Sequence, residues 1–233
     1  MKIFTGFVVT FFLFGGIVQA ADITFNSSGS ITSSDVFDNV YVQNNGTIVD
    51  MSGGQINSVV TYDATTFNMS GGHISNYIGI GPLSTINVSD GVISLPSDFY
   101  VEGVGSITGG NISADRLKSG VNPNLEILGG TLHFGIVDLR GNLTIKGGSL
   151  QVDNSYIDYF NYLATINIYG YGFNYNPYGG AFGEGILTGH LLDDNAFTFD
   201  GLSELEYSRF NLIPEPASLC LLALGGLFLR RKF

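Results

Sequence analysis

Apolar and polar side chains alternate in six segments that align without gaps over nine positions: 49–57, 67–75, 86–94, 105–113, 125–133 and 143–151. Their start-to-start spacings are 18, 19, 19, 20 and 18 residues. The first position reads Val49, Phe67, Ile86, Gly105, Leu125, Leu143 and the third reads Met51, Met69, Val88, Ile107, Ile127, Ile145, with a polar column between. That period of two predicts a half-buried strand opening each unit. The sixth position is glycine throughout, at Gly54, Gly72, Gly91, Gly110, Gly130 and Gly148, and the fifth is glycine except for Asp90. Beyond the pair the apolar phase slips by one residue, to Ile56, Ile74, Ile93, Ile112, Leu132 and Leu150, so the glycines mark a corner between two strands.

One such unit is too short to bury its apolar face, whereas stacked copies place like on like down a continuous core. The expected fold is therefore all-β: a parallel β-helix, or solenoid, of about six to seven rungs. At ~4.8 Å between stacked strands, six rungs extend about 25 to 30 Å. Ile23 to Thr32 reads as a degenerate first rung. An antiparallel sandwich with hairpins at the glycine pairs is the competing fold. Column identity weighs against it, since hairpins do not require successive units to repeat one Gly-Gly-x-Ile pattern.

After Gln151 the repeat gives way to a stretch rich in Tyr, Phe, Asn and Gly, with strands expected at 163–169, 186–192, 196–199 and 205–212. A solenoid needs its open end covered, so residues 152–212 read as a β cap on the repeat domain of 21–151. Tyr156, Tyr159, Tyr162, Tyr169, Tyr171, Phe173, Tyr175 and Tyr178 fall within 23 residues of this module. Exposed rings at Tyr169, Tyr171, Phe173, Tyr175 and Tyr178 would stack on sugars while Asn174 and Asn176 bond hydroxyls, which makes exopolysaccharide a candidate partner. Packing of the same rings against the last rung is the plainer alternative, and the favoured one.

Composition narrows the picture. With 33 Gly, no Trp and only 12% charged residues, the profile is that of a turn-rich exported β protein. Residues 21–213 hold five basic residues against nineteen acidic ones, a net charge of −14, which excludes nucleic acid as a partner. The single Cys220 lies outside the domain, so no internal disulfide is available to it.

Both ends carry processing signals. Lys2, the apolar stretch from Ile3 to Val18 and the small residues of Val18-Gln19-Ala20 read as a secretory signal peptide over 1–20, cut between Ala20 and Ala21. At the other end Pro214-Glu215-Pro216 precedes thirteen uncharged residues, Ala217 to Leu229, and then Arg230, Arg231, Lys232 and Phe233. As a helix that run reaches only ~20 Å, short of a ~30 Å hydrocarbon core, with its basic end held in the cytoplasm. The prolines read as a break that separates this anchor from the domain in an extended, accessible stretch. The tripeptide, the Leu-rich run with Gly225-Gly226 and the basic tail resemble the PEP-CTERM sorting signal of exported Gram-negative proteins. That resemblance covers 213–233. It implies processing by an exosortase, a transient stay in the inner membrane and transfer to the surface or matrix, with the tripeptide as a substrate.

Chemistry beyond sorting finds little support. There is no nucleophile elbow, phosphate loop, dinucleotide fingerprint or calcium loop, so no catalytic residue and no cofactor is expected. His73, His133 and His190 are scattered, and no metal site is expected of them. Asp50 and Glu126 share the second column four rungs apart, about 19 Å at ~4.8 Å per rung, too far for paired acid–base work on a glycosidic bond. Asp193 and Asp194, read as part of a strand, would point to opposite faces. Six Asn-x-Ser/Thr matches, at Asn26, Asn45, Asn68, Asn87, Asn111 and Asn142, arise readily in so Asn-rich a chain. The expected protein is a non-enzymatic surface or matrix component, with a carbohydrate-binding or carbohydrate-cleaving β-helix as the alternative.

Overall fold

The computed structural model describes residues 20–120, 123–154, 164–180 and 183–215. They form a parallel β-solenoid of about seven turns. The terminal helices expected at both ends, and most of the signal peptide, lie outside the described residues; Ala20 is described and Ala21 opens the first strand.

The elements, in order, are β1 (Ala21–Phe25), β2 (Gly29–Ile31), β3 (Val36–Val42), β4 (Ile48–Thr61), β5 (Thr66–Ile80), β6 (Thr85–Val101), β7 (Val104–Ile107), β8 (Asn111–Ser119), β9 (Asn124–Asp138), β10 (Asn142–Asn154), β11 (Thr165–Asn176), β12 (Gly185–Leu191), β13 (Ala196–Leu202), α1 (Glu204–Tyr207) and β14 (Phe210–Pro214). Each turn has three sides. The first stacks Val49, Phe67, Ile86, Gly105, Leu125 and Leu143 in parallel register. The second stacks Ile56, Ile74, Ile93, Ile112, Leu132 and Leu150. A third, whose pattern is weaker in sequence, stacks Val40, Val59, Ile78, Phe99, Leu117 and Val137. All of these apolar side chains are buried in one core. Gly105 interrupts the first column because its neighbour fills the space: a Cβ there would stand 2.5 Å from Leu125 Cδ1.

The glycine corner has two causes, and the sixth position carries both, since a Cβ at Gly54 would also stand 2.5 Å from Thr32 O. At the sixth position φ is positive in every unit, from +83° at Gly54 to +108° at Gly91, where an L side chain is disfavoured. At the fifth position the exclusion is contact: a Cβ would stand 2.6 Å from Ser52 O at Gly71, 2.2 Å from Ser89 O at Gly109 and 2.5 Å from Thr108 O at Gly129. The chain bends here without leaving the sheet, so strands such as β4, β5 and β9 run unbroken through the corner.

Three expectations are revised. The segment 23–32 is not one rung. β1 pairs with Val40–Val42 on the third side, whereas Gly29 and Ile31 sit beside Val49 and Met51 on the first. Although the nine-position repeat ends at Gln151, stacking continues beyond it: Ile166 and Ile168 lie on Leu143 and Ile145, and Phe210 and Leu212 lie on Ile166 and Ile168. The 152–212 segment is thus partly solenoid. On the second side the cap is a meander, with β13 parallel to β10 at Leu150–Val152 and antiparallel β12 and β11 beyond it. Finally, Asp193 and Asp194 occupy the β12–β13 turn, with Asp194 at φ +65°, so strand alternation does not apply to them.

Candidate functional site

The sorting segment begins inside the fold. β14 is the final strand of the first side and lies in parallel register along β11, with Ile213 beside Tyr169 and Pro214 beside Gly170. Glu215 N–H then donates to Gly170 O at 3.1 Å. Proline closes this edge strand without presenting a donor, the position in a sheet that tolerates it best. The stretch is extended and Pro214 is exposed, as expected, yet it is not a detached linker: Pro214 and Glu215 are held by the last solenoid strand. Pro216, Arg230, Arg231 and Lys232 lie outside the described residues.

What fastens β14 is the end of the core. Ser203 caps α1, its hydroxyl accepting from Glu206 N–H while Glu206 carboxylate accepts from Ser203 N–H. The helix sets Tyr207 in a parallel stack on Tyr175, ring centroids 3.8 Å apart, and leads to Phe210, which meets Phe199 edge-on at 5.0 Å. Phe210 and Leu212 close over Ile166 and Ile168.

The Tyr-rich module is divided by this arrangement. Phe173 and Tyr175 are half-buried and pack on the core. Tyr169 lies on the outside of the first side, where Lys146 Nζ approaches its ring centroid to 5.4 Å and also bonds Glu126 at 2.6 Å. Tyr171 stacks on His190 at 5.2 Å and donates to Asp194 at 2.9 Å. Tyr178, 80% exposed, stands alone at a turn. The five candidate rings therefore form no single platform. Tyr156, Tyr159 and Tyr162 lie outside the described residues.

Asp193 has a structural role that its sequence context did not reveal. Its carboxylate accepts from Gly148 N–H at 2.6 Å and from the Asn195 side chain at 2.9 Å, tying the cap turn to the last glycine corner. Partial burial opposes its charge, but these hydrogen bonds outweigh it and hold the carboxyl below the usual range.

The remaining candidates stay apart. Asp50 and Glu126 are separated by the strands bearing Asn68, Asn87 and Ser106. Asp50 accepts from Asn68 at 2.7 Å and Asn68 from Asn87 at 2.8 Å, a ladder that also engages two of the glycosylation-type asparagines. His133 meets Asp153 at 2.8 Å on the surface. Among the described residues no three His, Cys, Asp or Glu side chains come together as a metal site. Nor, among them, is any helix long and apolar enough to cross a membrane.

Comparison with protein-family models matches the PEP-CTERM protein-sorting motif over residues 212–232. The match begins at Leu212, within β14, and implies exosortase-dependent export and sorting to the cell surface. None of the curated proteins and none of the solved structures compared with the chain matches it.

Proposed function

We propose that the protein is a non-enzymatic structural component of the cell surface or extracellular matrix, released from the inner membrane by an exosortase-like enzyme that cuts beyond Glu215. The observation that carries this reading is the overlap of the sorting motif with the last strand of the solenoid. A cut before Phe210 would strip Phe210 and Leu212 from the end of the core and bare Ile166 and Ile168, each buried side chain being worth about 1.5–3 kcal/mol. A cut beyond Glu215 leaves the end covered. On this reading signal peptidase acts between Ala20 and Ala21, the apolar run of 217–229 holds the chain in the membrane until processing, and the product is a capped rod.

Fractionation of cells expressing the full chain, or a chain ending at Glu215, tests the assignment. The full chain is expected in the surface fraction in shortened form, and the chain lacking the tail is expected to miss that fraction. Full-length chain persisting in the inner membrane in the presence of an active exosortase would sink the proposal.

A further inference from the structure

Beyond sorting, the geometry points to a binding groove for an uncharged pyranose on the third side of the solenoid, built by Tyr62, Tyr77, Tyr100 and Glu102. The outward column of that side runs Tyr41, Val60, Gly79, Tyr100, Lys118 in register, so Gly79 leaves a gap one side chain wide. Tyr77, two residues earlier and on the same face, lays its ring across the gap: Cε1 and the hydroxyl both stand 2.8 Å from where a Gly79 Cβ would be. Tyr100 rises on the next rung, its hydroxyl donating to the Glu102 carboxylate. Tyr62, 47% exposed, and Pro82 bound the groove at the adjoining corner.

The size, chemistry and charge of the groove select its occupant. Its volume is about 190 Å³. That is below the ~300–1,000 Å³ of sites for drug-sized ligands, the scale of one sugar ring rather than of a helix or strand. Tyr62, the exposed ring of the three, has a face for the C–H side of a pyranose, the use to which amphipathic Tyr rings are suited, while Tyr77 and Tyr100 line the groove beside it. The Glu102 oxygen not engaged by Tyr100 can accept from a sugar hydroxyl. Burial, then the nearby Asp98 and Glu102 carboxylates, push the Tyr77 phenol up, so it stays protonated and able to donate. The rim carries charges of both signs: Asp98 faces Arg116 at 3.9 Å, Lys118 Nζ lies 5.7 Å from the Tyr100 ring centroid, and Arg140 also acts on Tyr100. Glu102 within the groove, on a strongly acidic protein, works against acidic sugars.

The test uses the exported protein and three probes: cellohexaose, mannohexaose and the acidic hexaguluronate. Because the protein has no Trp, its intrinsic emission is that of its 12 Tyr, three of which line the groove, and the single-site variants below assign any change to those three. At least one neutral hexasaccharide is expected to change that emission saturably, with affinity about tenfold weaker in Tyr62→Ala, the upper end of what one aromatic contact contributes. Glu102→Gln is expected to weaken it as well, whereas Tyr178→Ala, removing the isolated cap ring, is expected to leave it unchanged. Absence of binding by both neutral probes, preference for hexaguluronate, or sensitivity to Tyr178→Ala in place of Tyr62→Ala would each overturn the proposal. A surface-sorted protein that binds none of them would remain sorted, so this result stands apart from the sorting assignment.

Discussion

Two glycines with the same φ of +83°, Gly46 and Gly54, separate the two costs that the corner imposes on a side chain. At Gly46 a Cβ would meet nothing within 4 Å, so Gly46→Ala carries only the left-handed backbone. That costs about 1–2 kcal/mol, offset by ~0.4–1 kcal/mol because alanine restricts the unfolded chain. At Gly54 the same Cβ would stand 2.5 Å from Thr32 O and 2.7 Å from Asp35 O, backbone atoms that cannot rotate away. Gly54→Ala therefore adds about 1–3 kcal/mol of overpacking. Gly129→Ala, where φ is not positive but a Cβ would lie 2.5 Å from Thr108 O, carries the contact cost alone. Urea unfolding measures the difference: at a slope near 2 kcal/mol/M, a gap of about 2 kcal/mol moves the midpoint by about 1 M. Gly54→Ala is expected to be the least stable of the three and Gly46→Ala the most stable. Equal midpoints for Gly46→Ala and Gly54→Ala would refute the view that stacking of successive turns, rather than backbone conformation alone, enforces this glycine column.

Other expectations concern the end of the solenoid. Ile168→Ala, truncating a fully buried residue beneath β14, is expected to cost about 2–5 kcal/mol in the same assay. Half-buried Leu212, changed to Ala, is expected to cost less while loosening Pro214 and Glu215, seen as faster amide exchange at Glu215. Asp193 gives a signed pH dependence. Its folded-state carboxyl is depressed, so its contribution is present above the ordinary Asp range and is lost as pH falls through the folded value. The gap in Tm between the wild type and Asp193→Ala is expected to be wide at pH 6 and to narrow on acidification; a gap that does not depend on pH would contradict the assignment.

The sequence exposed most where side chains repeat. Six glycines at one column and Ile on Ile at another are consequences of stacking, so the first two sides and the corner are readable in the sequence itself. The third side was less so, because outward Tyr41, Tyr77 and Tyr100 alternate with buried Val40, Ile78 and Phe99, and aromatic residues blur a polar–apolar period. The solenoid's continuation through Ile166 and Phe210 was hidden by spacing. The offset from Leu143 to Ile166 is 23 residues and from Ile166 to Phe210 is 44, and neither later strand carries the glycine pair. Asp193 could not have been placed from sequence, since its partner Gly148 is 45 residues away and is reached only once the cap folds back. The groove depends likewise on Gly79 and Tyr100 meeting across a turn of the solenoid, a juxtaposition that neither residue signals alone.

The central claim, that the sorting motif is joined to the fold through its last strand and is processed beyond it, is tested most directly by the intact mass of the protein recovered from the cell surface. A mature chain beginning at Ala21 and ending at or just past Glu215 is expected. A chain ending before Phe210, or one still carrying Arg230 to Phe233, would contradict it.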